Sequence, residues 1–142
     1  KDLIVTSGGK NIAPQKIENL AKTHKYISHF MVYGDRRNYL TALIVLEKEE
    51  TIKFAKENHI LFSEYLELIK HPKIQALVQS MLDQVNQNLA SYETVKRFTV
   101  LPNEFTVETG ELTPSLKIKR RFCNEKFKRE LDAMYGGMSA FA

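Results

Sequence analysis

"YISHFMVYGDRRNYLTALIVL", residues 26–46, is the stretch from which the fold is read. Tyr26–Tyr33 and Tyr39–Leu46 are rich in β-branched and aromatic residues, which suit a pleated, half-buried surface. The residues from Gly34 to Tyr39 supply turn chemistry between them, so the stretch is expected to form a β-hairpin. Leu40–Leu46 is the longest apolar run of the chain and is interrupted by Thr41. It has the length of a strand and falls far short of the ~20 residues that cross a bilayer as a helix.

Upstream of the hairpin, Leu3–Thr6 is a short β-rich run that ends in the loop signal Ser7-Gly8-Gly9. Pro14 suits a first helical position, and Ile17, Leu20 and Ala21 then give one apolar face. Downstream, residues 49–58 and 63–70 read as helices, the second stopping before His71-Pro72. Residues 72–93 read as one long helix, with Ile74, Leu77, Val78, Met81, Leu82, Val85 and Leu89 in helical rhythm. Val95–Leu101 is the third strand. Residues 120–134 form the last helix, with Cys123, Phe127, Leu131 and Met134 on one stripe. The expected fold class is α+β: a small sheet of about three main strands with packed helices, a short N-terminal β segment and a glycine loop.

The chain has 142 residues, of which 43% are hydrophobic and 27% charged, enough for one domain with a real core. Its single cysteine, Cys123, excludes an internal disulfide, and no secretory leader pattern stands at the start, so a cytoplasmic location is the expectation. The first residue is Lys1 rather than Met, and a strand follows at once, so the chain is expected to be a fragment of something longer. Residues 1–135 are expected to be the domain and 136–142 a flexible tail.

The net charge of +4 is uneven, because residues 114–129 hold seven basic residues against the one acid Glu125. Lys117, Lys119, Arg120 and Arg121 then stand at a predicted helix start, where the macrodipole opposes cations. Such a run is either a solvated helix start or a place for an anion. Ser7-Gly8-Gly9-Lys10-Asn11 is not a P-loop, because Ile4 and Asn11 stand where a glycine and a hydroxyl residue are needed. It is either a tight turn or a place where a ligand runs close to the backbone. His24, His29, His59 and His71 show no metal-ligand spacing, and no metal is assigned. Cys123 sits on an apolar stripe and reads as core rather than nucleophile.

Two stretches together carry a family resemblance: "KDLIVTSGGKNIAPQKIE" at residues 1–18 and "GELTPSLKIKRRF" at residues 110–122. They resemble the C-terminal subdomain of AMP-forming acyl-CoA synthetases, closest to the long-chain fatty-acid branch. The resemblance implies two half-reactions. A fatty-acid carboxylate displaces pyrophosphate from ATP to give an acyl-adenylate, and the coenzyme A thiol then displaces AMP to give a thioester. ATP and coenzyme A are thus substrates, Mg2+ is expected with ATP in the N-terminal domain, and that domain, absent here, is the main partner. The small domain rotates between the steps. The resemblance makes Lys117 the adenylation lysine, Lys1 and Asp2 the hinge, and Gly8, Gly9 and Lys10 the loop beside the coenzyme A tunnel. It also implies that the Ser7–Lys10 loop and Lys117 lie on separate faces. No nucleic acid is expected, and the full-length enzyme is expected to be cytoplasmic, with peripheral membrane contact left open.

Leu116 departs from the pattern, since many short-chain relatives have glycine there, and Lys10 replaces a common acidic residue. The helical region at 49–93 is longer than small synthetases carry. The alternative to the family reading is a small basic module that binds RNA or an acidic protein through residues 117–129; a purely structural interaction domain is a third possibility.

Overall fold

The computed structural model describes residues 2–136. A short antiparallel pair comes first, β1 (Ile4–Val5) and β2 (Asn11–Ile12), joined across the glycine loop. The second strand of this pair is absent from the sequence reading. Two residues are too few for a periodicity to show, and the pair is held from outside. Arg36 donates to the Val5 carbonyl, Ser7 to the Arg37 carbonyl, and Val5 to Asp35 Oδ1. The glycine loop is therefore pinned to the turn of the main hairpin.

Helix α1 (Pro14–Ala21) follows, with its proline in the first turn as expected and Ile17 and Ala21 fully buried. The 26–46 stretch forms β3 (Ile27–Tyr33) and β4 (Leu40–Leu46), antiparallel, with Tyr33 opposite Thr41 and Ile27 opposite Leu46. Helices α2 (Lys48–Glu57), α3 (Tyr65–Ile69) and α4 (Pro72–Asn86) then lead to β5 (Val95–Leu101), which pairs parallel to β4. A parallel neighbour cannot be reached by a tight turn, so a crossover is obligatory. That is the structural task of the long helical region.

The sheet order is β3-β4-β5, and all seven residues of β4 are buried. This explains its near-continuous apolar run, since a strand covered on both faces has no polar side to show. Phe30, Val32, Ala42 and Ile44 point to one core, shared with Ile17 of α1 and with Ile74, Val78 and Leu82 of α4. Met31, Leu43, Val45 and Leu101 point to the other, built with Phe105, Leu112, Cys123 and Leu131. The result is three layers, with most helices on one face and residues 105–135 on the other.

Two expected helices are shorter than their patterns. The 72–93 helix ends at Asn86, whose side chain donates to the Val95 carbonyl and accepts from the Val95 amide, both at 2.9 Å. A side chain that imitates a strand partner stops the helix and starts β5; Leu89 still packs on the core from the turn beyond. The 120–134 helix divides into α5 (Arg120–Lys126) and α6 (Lys128–Ala133) at Phe127, whose backbone (φ −106°, ψ 25°) leaves the helical region. Phe127 stacks on Phe105 at 5.8 Å, and the stripe of Cys123, Leu131 and Met134 stays buried across the bend. Of the expected tail, 137–142 lies outside the described residues.

Candidate functional site

Lys117 does not start a helix. It sits on a narrow loop closed by a bridge between Leu112 and Ile118, three residues before α5 begins. Thr113 is the clasp of that loop. Its amide donates to the Lys117 carbonyl at 2.8 Å, its hydroxyl oxygen accepts from the Lys117 amide at 3.1 Å, and its carbonyl accepts from Leu116 at 2.7 Å. Leu116 at the tip has φ +68°, the left-handed region that glycine occupies without cost. That is the physical reason a glycine suits this position, and it accounts for the pattern from which this sequence departs. The Lys117 side chain is exposed and forms no ion pair among the described residues. A rigid backbone thus carries a free ammonium.

Lys117 lines a concavity of about 600 Å³ whose wall also includes Asp2, Glu18, Lys22, His29 and Arg120. Burial pushes the His29 imidazole below its ordinary value, with Glu104 opposing that shift. The Arg120 guanidinium, 15% exposed, donates to both Glu18 oxygens at 2.8 and 3.1 Å, to the Val32 carbonyl, and to Asp2 at 3.1 Å. Burial works against its charge, but these carboxylates outweigh it and raise its pKa. The anion expected for the basic run is thus partly internal. Arg120, Lys126 and Lys128 are neutralised by Glu18 and Asp2, by Glu111 and by Asp132. Sequence reasoning missed Glu18, whose carboxylate is 8% exposed on the apolar side of α1.

Glu111 was also missed, and it holds the other strand of the lysine loop. Its carboxylate accepts from Lys126, the Thr109 hydroxyl and the Thr106 amide, and its carbonyl accepts from Lys119 at 2.7 Å. Burial pushes its carboxyl up, but these donors win and hold the pKa at about 2. A folded-state pKa below the unfolded value of 4.5 contributes stability above pH 4.5 that is lost as pH falls toward 2. Because Lys126 is 40% exposed and can rehydrate, we expect Glu111→Gln to cost about 2 kcal/mol at neutral pH. Thermal melts should show a midpoint roughly 5–10 °C lower and a flatter acid limb below pH 4.5. An unchanged melt would remove Glu111 from its role as anchor.

The glycine loop lies elsewhere. Gly9 has φ +84° and accepts its glycine for backbone reasons. Gly8 does not: its φ is outside that region, and a Cβ there would meet nothing within 4 Å. Lys10 rests with its ammonium 5.1 Å from the centre of the Tyr92 ring. No residue of this loop lines the Lys117 concavity. Of the two residues expected at the hinge, Asp2 stands beside Arg120, whereas Lys1 lies outside the described residues. Cys123 is buried, and burial pushes its thiol up to about 11, which fits a core role. Among the described residues no three His, Cys, Asp or Glu side chains converge to hold a metal, and no helix is long and apolar enough to cross a membrane.

The family model for the AMP-binding enzyme C-terminal domain matches residues 1–139. The chain belongs to that family. This AMP-binding enzyme C-terminal domain is 35% identical over 136 residues to a long-chain-fatty-acid–CoA ligase of Mycobacterium tuberculosis, covering 95% of the chain and 23% of the relative. It is 29% identical over 153 residues to a human long-chain-fatty-acid–CoA ligase, again covering 95% and 23%. Among solved structures, the adenylation domain of a carboxylate reductase from Mycobacterium chelonae superposes with a TM-score of 0.75 at 27% identity, over 94% of this chain and 19% of that one. The chain therefore spans about a quarter of the length of the curated relatives it matches.

Proposed function

We propose that this chain is the mobile C-terminal domain of a long-chain fatty-acid–CoA ligase, and that it serves the two half-reactions with two different faces. The observation that carries the reading is the Lys117 loop: a free ammonium on a backbone clamped at both ends, within a chain whose relatives are named as such ligases. Adenylation brings a carboxylate against the α-phosphate of ATP while pyrophosphate leaves. A cation between the two lowers their repulsion and stabilises the charge that develops. Lysine suits this because it is a point charge on a flexible stem, delivered by a domain that moves. The Gly8 face serves the thioester step, in which the coenzyme A thiolate displaces AMP. ATP, coenzyme A and the fatty acid bind mainly to the N-terminal domain, which would also hold Mg2+ with ATP.

The RNA or acidic-protein reading is weakened by the internal pairing of Arg120, Lys126 and Lys128 and by Phe127 packing into the core. The test compares the purified 142-residue chain with the full-length protein in fatty-acid-dependent ATP–pyrophosphate exchange. The chain alone is expected to fold and show no exchange, because nothing in it orients both reactants. The full-length protein is expected to exchange; its failure to do so, or exchange by the chain alone, would overturn the reading.

A further inference from the structure

We propose that Arg120 is a positioning residue for Lys117, and that its ion pair with Asp2 holds the domain in the orientation in which Lys117 works. The inference rests on the adenylation role proposed for Lys117. The two arms of Arg120 differ in kind. Toward Glu18 it makes a bidentate, buried pair whose carboxylate also accepts from the Val32 amide at 2.8 Å. Such a pair is fixed, because opening it would strand a buried charge. Toward Asp2 it makes one bond, at 3.1 Å, to a carboxylate that is 40% exposed. Water can replace that partner easily, so this arm can open and close.

What the fixed arm positions is set by the backbone. Between Lys117 and Arg120, Ile118 bridges to Leu112 and the Lys119 amide is bound to the Glu111 carbonyl. The segment has no slack, so anchoring Arg120 on α1 and β3 fixes where Lys117 stands. What the opening arm controls follows from Asp2. The family resemblance places the hinge to the N-terminal domain at Lys1 and Asp2, and Asp2 and Arg120 both line the Lys117 concavity. A closed pair therefore keeps the connecting backbone beside the Lys117 face, whereas an open pair releases that face from the connection. Rotation away from adenylation requires this release.

Arg120→Ala would strand Glu18 and is a poor probe, so the test is Asp2→Asn in the full-length enzyme, beside Asp2→Glu and Lys117→Ala. Each half-reaction is followed in a single turnover, the second from preformed acyl-adenylate. Asp2→Asn is expected to slow adenylation about three- to tenfold. It should leave the thioester step as fast or faster and the melting temperature unchanged, and Asp2→Glu should restore adenylation. Equal slowing of both steps, or no change in either, overturns the latch. If Lys117→Ala separates the steps while Asp2→Asn changes nothing, only the latch falls. If Lys117→Ala fails to separate them, the underlying reading falls and the latch with it.

Discussion

Lys117→Ala in the full-length enzyme is expected to slow acyl-adenylate formation by about 10²–10³ while leaving the thioester step nearly untouched. The magnitude is that of one preorganised electrostatic contact removed from a charged transition state. The structure makes the experiment clean. The Lys117 side chain is exposed and unpaired among the described residues, while the loop is held by Thr113, the Leu112–Ile118 bridge and Arg120. Truncation therefore removes a cation and no structural bond, and the fold should melt as before. On the proposed reading Lys117 no longer faces the reacting atoms once the adenylate exists and the domain has turned, so its loss should not register. Equal slowing of both half-reactions would mean that Lys117 is structural or that the domain does not rotate, and the mechanistic assignment would fail.

What could be read in advance depended on how local each signal is. The 26–46 hairpin, β5 and the apolar stripes of α1 and α4 were legible because period two and period 3.6 are written in neighbouring residues. The helix stop at Asn86 was not, since it depends on a side chain bonding Val95 after an intervening turn. Glu18 was invisible for the same reason. A glutamate in an amphipathic helix reads as solvent-facing, and only Arg120, 102 positions away, makes its burial tolerable. The basic run misled in a related way, because its partners Glu18, Asp2 and Glu111 all lie outside it. Charge counted along the chain gives no account of charge neutralised across it.

The glycines of the two motifs separate by the same physical test. Gly110 has φ +101° and a Cβ there would fall 2.5 Å from the Phe122 ring, so the second motif opens with a glycine the fold itself needs. Gly9 is fixed by its backbone. Leu116 stands in a conformation that glycine would relieve, so there the fold asks for a glycine and does not receive one. Gly8 is the reverse case: a glycine present where the domain alone does not require it. On the proposed reading its reason lies outside the domain, in the pantetheine arm of coenzyme A that approaches the loop.

Gly8→Leu in the full-length enzyme should then do the opposite of Lys117→Ala. The open space around Gly8 lets the domain accept a side chain, and Gly8→Ala, the milder control, should fold at least as well as the wild type. It should gain about 0.4–1 kcal/mol from the lower entropy of the unfolded chain. Leucine, however, would project from the loop into the path of the thiol. Displacing a reacting atom by about 1 Å can cost about 10²-fold in rate, so the thioester step should slow by at least that much. Adenylation should proceed normally, because on the proposed reading the loop is turned away from the reacting atoms in that orientation. The measurement is single-turnover thioester formation from preformed acyl-adenylate, with ATP–pyrophosphate exchange and thermal melts alongside. A normal thioester rate would reduce Gly8 to an ordinary turn residue, and a large drop in melting temperature would contradict the open space seen around it.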